Sequence, residues 1–317
     1  MRSRQKTFCM ILALSLLSLV GSACAPGSEQ KEKGPKIIAV TTLFPLYDFA
    51  KHVGGDRVEV TLQLPPGMEP HSFEPRPSDI IKLNRADLFI YTSFAMEPWA
   101  EALLKGLQSR DLVIVNSSRG IPAMKPSEEK DNRHAQNRHL DAADPHIWLD
   151  FSSAVKMIEN IRDGFITKDP GSKETYEQNA AAYITKLKSL DERFQQGLRG
   201  CRKNIIVNGG HFAFAYMAKR YGFRYVSVYG VSPNAEPTAA DLAGAMKLIR
   251  DNGLHHIFHE ALLKPRVAEA LSREAGVALL KLDPAGNLTK NDFDRGETFL
   301  SLMEKNLDQL KEGLQCR

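Results

Sequence analysis

The chain has 317 residues, 43% hydrophobic and 25% charged, the balance of a soluble globular protein long enough for two domains rather than one. Its net charge of +4 falls to about +1 once the three basic residues of a removable leader are discounted. So nearly neutral a chain lacks the concentrated basic surface of a nucleic-acid binder, and nucleic acid is set aside as a partner.

The leader starts with Arg2, Arg4 and Lys6, followed by an apolar run from Phe8 to Val20 and then Gly21-Ser22-Ala23-Cys24. The run is short for a membrane span and reads as a signal peptide over residues 1–23. Small residues ahead of a cysteine resemble a bacterial lipobox, with Cys24 as the lipid-bearing new N-terminus, although Gly21 stands where Leu or Val is usual. Cleavage after Ala23-Cys24-Ala25 is the competing reading, and Pro26 opposes it. Residues 24–35 then form a lipidated start and a polar tether. The expected location is outside the cytoplasm, periplasmic or at the cell surface and anchored to the membrane by lipid.

Lys36 to Thr41 is a short β-branched run that predicts a strand, and Leu46 to Val53 predicts a helix. Arg57 to Leu64 alternates as a strand. Ser78 to Leu83 (helix), Leu88 to Tyr91 (strand), Trp99 to Leu107 (helix) and Leu112 to Val115 (strand) continue the series. Ser118 to Asp144 is polar, carries His134 and His139, and has no period, so it reads as a long loop. A helix is expected to begin near Phe151. Tyr176, Ala180, Tyr183, Leu187, Leu190, Phe194 and Leu198 then mark one face of a helix of about seven turns.

The alternation resumes in the second half. Asn204–Asn208, Tyr225–Tyr229, His256–His259 and Val277–Leu282 predict strands. Phe212–Tyr221, Ala239–Asn252, Pro265–Ala275 and one long C-terminal stretch, Phe293–Leu314, predict helices. The fold class is α/β: two lobes with mainly parallel sheets, 36–171 and 201–317, joined by one long rigid helix over 172–200. Of the four cysteines, Cys9 leaves with the leader and Cys24 takes lipid. Cys201 and Cys316 remain as a pair in an oxidising compartment, and a disulfide is expected, with two free thiols as the alternative.

In open α/β sheets ligands bind beyond the carboxyl ends of the strands. His71, His146, His211 and Asp283 all fall at such positions. Singly they are ordinary: an exposed loop histidine, a core histidine, a helix cap and a turn residue. Together, three imidazoles and a carboxylate are the ligand set of a closed four-coordinate zinc site. His255 and His259 do not pair as ligands, because four residues along a strand span about 13 Å. His134 and His139 are candidates for an accessory, looser site that captures metal and passes it inward.

Several segments carry a further resemblance: Thr42-Leu43-Phe44-Pro45-Leu46, Pro66-Gly67-Met68-Glu69-Pro70-His71-Ser72-Phe73-Glu74-Pro75, Asp144-Pro145-His146-Ile147-Trp148-Leu149-Asp150, His211-Phe212-Ala213-Phe214-Ala215-Tyr216 and Glu236-Pro237-Thr238. Across nearly all of the mature sequence the chain resembles the cluster A-I solute-binding proteins of ATP-driven zinc and manganese importers. The resemblance implies two α/β lobes on a rigid helix and metal between them, held by His71, His146, His211 and Asp283. It also implies a membrane permease with its ATPase as partners, and no catalysis; a monomer is expected. Glu260 is a nearby carboxylate not assigned to the ligand set. A third histidine, where manganese members place a carboxylate, resembles the zinc branch, and imidazole-rich sites suit Zn²⁺ better than Mn²⁺. The polar loop has fewer histidines than strongly His-rich zinc members, which keeps Mn²⁺ or Fe²⁺ open as ligand. A zinc hydrolase is the alternative of another class. It would need an open coordination position and a general base, and neither an HExxH helix nor a GxSxG elbow is present. Surface adhesion is a third, weaker option.

Overall fold

A computed structural model describes residues 36–108, 111–124, 144–234 and 236–317. Cys24, His134 and His139 lie outside the described residues, as do the leader and tether. The first half runs β1 (Ile37–Thr41), α1 (Phe44–Gly54), β2 (Val58–Leu62), α2 (Pro77–Asn84), β3 (Leu88–Tyr91), α3 (Pro98–Lys105) and β4 (Val113–Asn116). Next come α4 (Phe151–Lys168) and the long α5 (Lys173–Gly197). The second half runs β5 (Ile205–Asn208), α6 (Ala215–Tyr221), β6 (Arg224–Ser227), α7 (Ala239–Asp251), β7 (His256–His259), α8 (Arg266–Ala275) and β8 (Ala278–Lys281). It ends with α9 (Lys290–Asp294) and α10 (Phe299–Gly313).

Each half forms one four-stranded parallel sheet, ordered β2-β1-β3-β4 and β6-β5-β7-β8. The two orders are the same pattern, so the halves are two copies of one topology. Strand direction fixes where ligands can gather. With every strand parallel, all loops leaving the carboxyl ends emerge on one edge, and the crevice opens where the strand order reverses, beside β1 and β3 or β5 and β7.

The helix α5 is 25 residues long, about 37 Å at 1.5 Å per residue. Its apolar stripe is buried as the sequence spacing predicts: Tyr176, Ala180, Tyr183, Leu187, Leu190 and Phe194. Near its start it grips α1, with Tyr183 Oη donating to Asp48 Oδ2 at 2.6 Å and Asn179 Nδ2 to the Val53 carbonyl at 3.0 Å. Near its end it faces α10, where Arg193 pairs with Glu304 at 2.5 Å. From α6, Arg220 binds Asp191 of α5 through Nε at 2.7 Å and Asp150, the N-cap of α4, through Nη1 at 2.9 Å. The helix is thus bonded to elements of both halves.

Three sequence expectations are corrected. The C-terminal stretch is two helices, not one: Gly296 turns the chain with φ 72°, and Thr298 restarts it by capping α10 through Ser301 N at 3.1 Å. The helix after His211 begins at Ala215 with Phe214 as its N-cap, so His211 caps nothing. The strands are also shorter than their apolar runs, since β2 stops at Leu62 and β6 at Ser227. Cys201 and Cys316 are joined by a disulfide that ties the approach to β5 to the chain just past α10. Among the described residues, no helix is long and apolar enough to cross a membrane.

Candidate metal centre

His71 sits in a one-turn 3₁₀ helix, Pro70–Ser72, entered after β2. Glu69 closes the turn by accepting from Ser72 N at 2.9 Å, and Trp99 Nε1 donates to the Pro70 carbonyl at 3.1 Å. The loop is therefore fixed from both sides of the histidine. His146 lies just before α4 and is 1% exposed. Asp144 Oδ1 accepts from its backbone N at 2.9 Å and faces its ring Nδ1 at 2.8 Å.

His211 follows β5 through Gly209-Gly210. Its carbonyl accepts from Tyr225 Oη at 2.8 Å and Asn208 Nδ2 at 3.1 Å. Its ring Nδ1 faces Glu260 Oε2 at 2.6 Å, and Glu260 stands just past β7. That approach needs glycine at 210, because a Cβ there would lie 1.9 Å from Glu260 Oε1.

The three rings point their remaining nitrogens at one another. His146 Nε2 lies 3.2 Å from His71 Nε2 and 3.1 Å from His211 Nε2. Zinc bound to imidazoles at about 2.0–2.1 Å in a tetrahedron sets its nitrogens roughly 3.3 Å apart. With Nδ1 of His146 and of His211 each turned to a carboxylate, the proton of each neutral ring belongs on Nδ1 and the lone pair on Nε2. Lone pairs facing across 3.1 Å repel unless a proton or a cation stands between them. Among the described residues, these three histidines form the group whose ligand atoms all lie within 4.8 Å of one another.

The electrostatics favour neutral rings at two of the three positions. Burial, reinforced by the neighbouring His211, pushes His71 down to about 3. Burial holds His146 well below the ordinary imidazole value, with His211 and His71 adding to it. At His211 burial acts in the same sense, but the attraction and hydrogen bond of Glu260 outweigh it, so its affinity for a proton is raised. Burial raises Asp144 to about 7, against the hydrogen bond from the His146 backbone.

Asp283 lines the same cavity but stands outside the three-histidine group. Its Oδ1 accepts from Ala285 N at 2.9 Å, and its Oδ2 lies 3.3 Å from Lys281 Nζ. Burial raises the Asp283 carboxyl, and Lys281 opposes this. The structure therefore brings His71, His146 and His211 together and leaves Asp283 beside them, engaged elsewhere. Two residues that sequence reasoning did not assign support the rings: Glu260, which had the same strand-end signal as the histidines, and Asp144, two residues before His146.

The segment after Asp283 also closes the two halves over the cavity. Gly67 N donates to the Leu288 carbonyl at 2.7 Å, Phe44 N to the Gly286 carbonyl at 3.2 Å, and Asn287 Nδ2 to the Pro65 and Met68 carbonyls at 2.8 and 2.9 Å. The space left is lined by His71, His146, His211, Glu260 and Asp283, and it has room for a single ion.

Two α/β lobes on a rigid connecting helix, with a small cavity where their loops meet, are the architecture of a solute-binding protein. The chain belongs to the ZnuA family, the periplasmic component A of the zinc-uptake complex, whose model matches residues 39–313. It is 36% identical over 309 residues to the high-affinity zinc uptake system protein ZnuA of Bacillus subtilis, covering 97% of this chain and 96% of that protein. It is 38% identical over 304 residues to the zinc-binding lipoprotein AdcA of Streptococcus pneumoniae, covering 95% of this chain but 60% of that longer protein. The crystal structure of the Zn(II)-bound ZnuA-like domain of AdcA superposes with a TM-score of 0.74 at 37% identity, covering 88% of this chain and 99% of that one.

Proposed function

We propose that this protein is the extracytoplasmic solute-binding component of an ATP-driven zinc importer. It takes Zn²⁺ on His71, His146 and His211, completes the coordination with the Asp283 carboxylate, and hands the ion to a membrane permease energised by its ATPase. The observation that carries this reading is the triangle of Nε2 atoms, two edges of which measure 3.1 and 3.2 Å. Three nitrogen donors favour Zn²⁺ over Mn²⁺, which prefers oxygen-rich, higher-coordinate sites. The relatives named for zinc uptake and the Zn(II)-bound AdcA domain support the same ion.

The role is that of a carrier, not a catalyst. With four protein ligands no position is left for a reactive water. Export on the leader, lipid at Cys24 and a monomeric state complete the proposal, with residues 36–171 and 201–317 as lobes and 172–200 as their connector. His134 and His139 serve as a looser capture site. The test is elemental analysis of natively purified protein together with competition between Zn²⁺ and Mn²⁺. One zinc per chain that resists excess Mn²⁺ is expected. Bound manganese, or no tightly bound metal, would refute the assignment.

A further inference from the structure

The fourth ligand does not stand ready beside the imidazoles. Asp283 is held on three sides. Its backbone is clamped by Asn306 of α10, which accepts from Asp283 N at 2.8 Å and donates to its carbonyl at 2.7 Å. Oδ1 accepts from Ala285 N at 2.9 Å, where the chain turns with φ 56° at a non-glycine residue. Oδ2 faces Lys281 Nζ at 3.3 Å. The backbone contacts fix where the carboxylate is rooted, while the lysine engages one of its two oxygens.

The partners differ in exposure. The Asp283 side chain is 8% exposed and that of Lys281 42%. Lys281 is the last residue of β8 and lies two residues from Asp283, with its side chain partly in solvent while the Asp283 carboxylate is buried. An ammonium cannot ligate a cation, and a half-exposed lysine can swing into water at little cost.

We propose that Lys281 is a positioning residue that competes with the bound ion for the Asp283 carboxylate and thereby sets how readily zinc is released. This rests on the zinc-binding reading above. With the ion present, the carboxylate turns to it and the lysine moves to solvent. When the carboxylate leaves the ion, Lys281 takes it, and three imidazoles alone hold a cation less firmly than the full set. A protein that must surrender its cargo gains from a fourth ligand with an alternative partner.

The test uses zinc affinity from a competing chelator dye and the dissociation rate into excess chelator, measured on wild type, Lys281→Met, Lys281→Arg, Asp283→Asn and Lys281→Met/Asp283→Asn. Lys281→Met should bind zinc about three- to tenfold more tightly and release it correspondingly more slowly, the scale of one partly exposed ion pair beside a buried carboxylate. Lys281→Arg should stay within about twofold of wild type, since it keeps the cation. In the Asp283→Asn background the Lys281→Met change should have no effect. The visible absorption of bound Co²⁺ should be the same in wild type and Lys281→Met, showing an unchanged ligand set.

Equal affinity in Lys281→Met and wild type would overturn the proposal while leaving the zinc-binding reading intact. A gain that persists with Asp283→Asn would overturn it as well, because the lysine would then act through net charge. Wild-type protein that binds no zinc would overturn both readings.

Discussion

Trp148 Nε1 donates to the Pro284 carbonyl at 2.7 Å. The residue two beyond His146 is thereby bonded to the residue next to Asp283, and the two halves of the ligand set are held in one frame. Trp148→Phe keeps an apolar ring but leaves the part-buried carbonyl without its donor, at a cost of about 1–2 kcal/mol. The melting temperature should fall by a few degrees, roughly 2–4 °C for each kcal/mol in a chain of this size class. Zinc affinity should fall with it, and calorimetry with and without zinc checks both.

Glu260 faces His211 Nδ1 at 2.6 Å and should matter almost as much as a ligand. A glutamine there can still accept a hydrogen bond but carries no charge to strengthen the ring as a donor. Glu260→Gln should weaken zinc binding about 10- to 100-fold. His211→Ala should weaken it further, and removing His134 and His139 together should change it little. Titration against a chelator of known affinity ranks the three; equal losses would place the primary site in the polar loop.

The pH dependence follows from the direction of each shift. Zinc needs the lone pair of every ring. His71, pushed down to about 3, and His146, held well below the usual value, offer theirs throughout the neutral and mildly acid range. His211 is raised, so in the metal-free protein it takes a proton at higher pH than an ordinary imidazole near 6.5, and Asp144 does so near 7. Zinc must displace those protons, so affinity is highest above about pH 7 and falls as pH drops, by roughly one to two decades per pH unit for one to two protons displaced. A slope of three would show all the rings titrating together, and a flat profile from pH 8 to 5 would show that zinc displaces no proton from His211 or Asp144. Calorimetry in buffers of different ionisation enthalpy counts the protons directly.

The Cys201–Cys316 bond spans 115 residues of sequence. A cross-link closing a loop of that length restricts the unfolded chain strongly, by about 3–5 kcal/mol. Replacing both cysteines with serine should lower the unfolding free energy measured by urea titration by that amount while leaving zinc affinity within about twofold, since neither residue lines the cavity. Thiol titration of the denatured wild type without reductant should find neither sulfur free.

Much of the architecture was legible along the chain. Alternating β-branched runs and helical stripes gave strands and helices in the right order, because the 2.0 and 3.6 periods are written locally. The stripe from Tyr176 to Phe194 marked the connecting helix almost to its ends. The break between Asp294 and Phe299 was not legible as a stripe, since apolar residues on both sides of Gly296 keep a helical spacing; the turn shows in the positive φ of Gly296 and the cap at Thr298.

The sequence by itself determined that three histidines and a carboxylate follow strand ends, since parallel topology sends every such loop to one edge. The tertiary structure alone decided how far each side chain reaches. Distances across the interface between sheets depend on packing that no local pattern encodes, and so does the choice among partners for a buried carboxylate. That is why the three imidazoles could be singled out as candidates from the chain, whereas the contacts of Glu260 with His211, of Asp144 with His146 and of Lys281 with Asp283 became visible only in the fold.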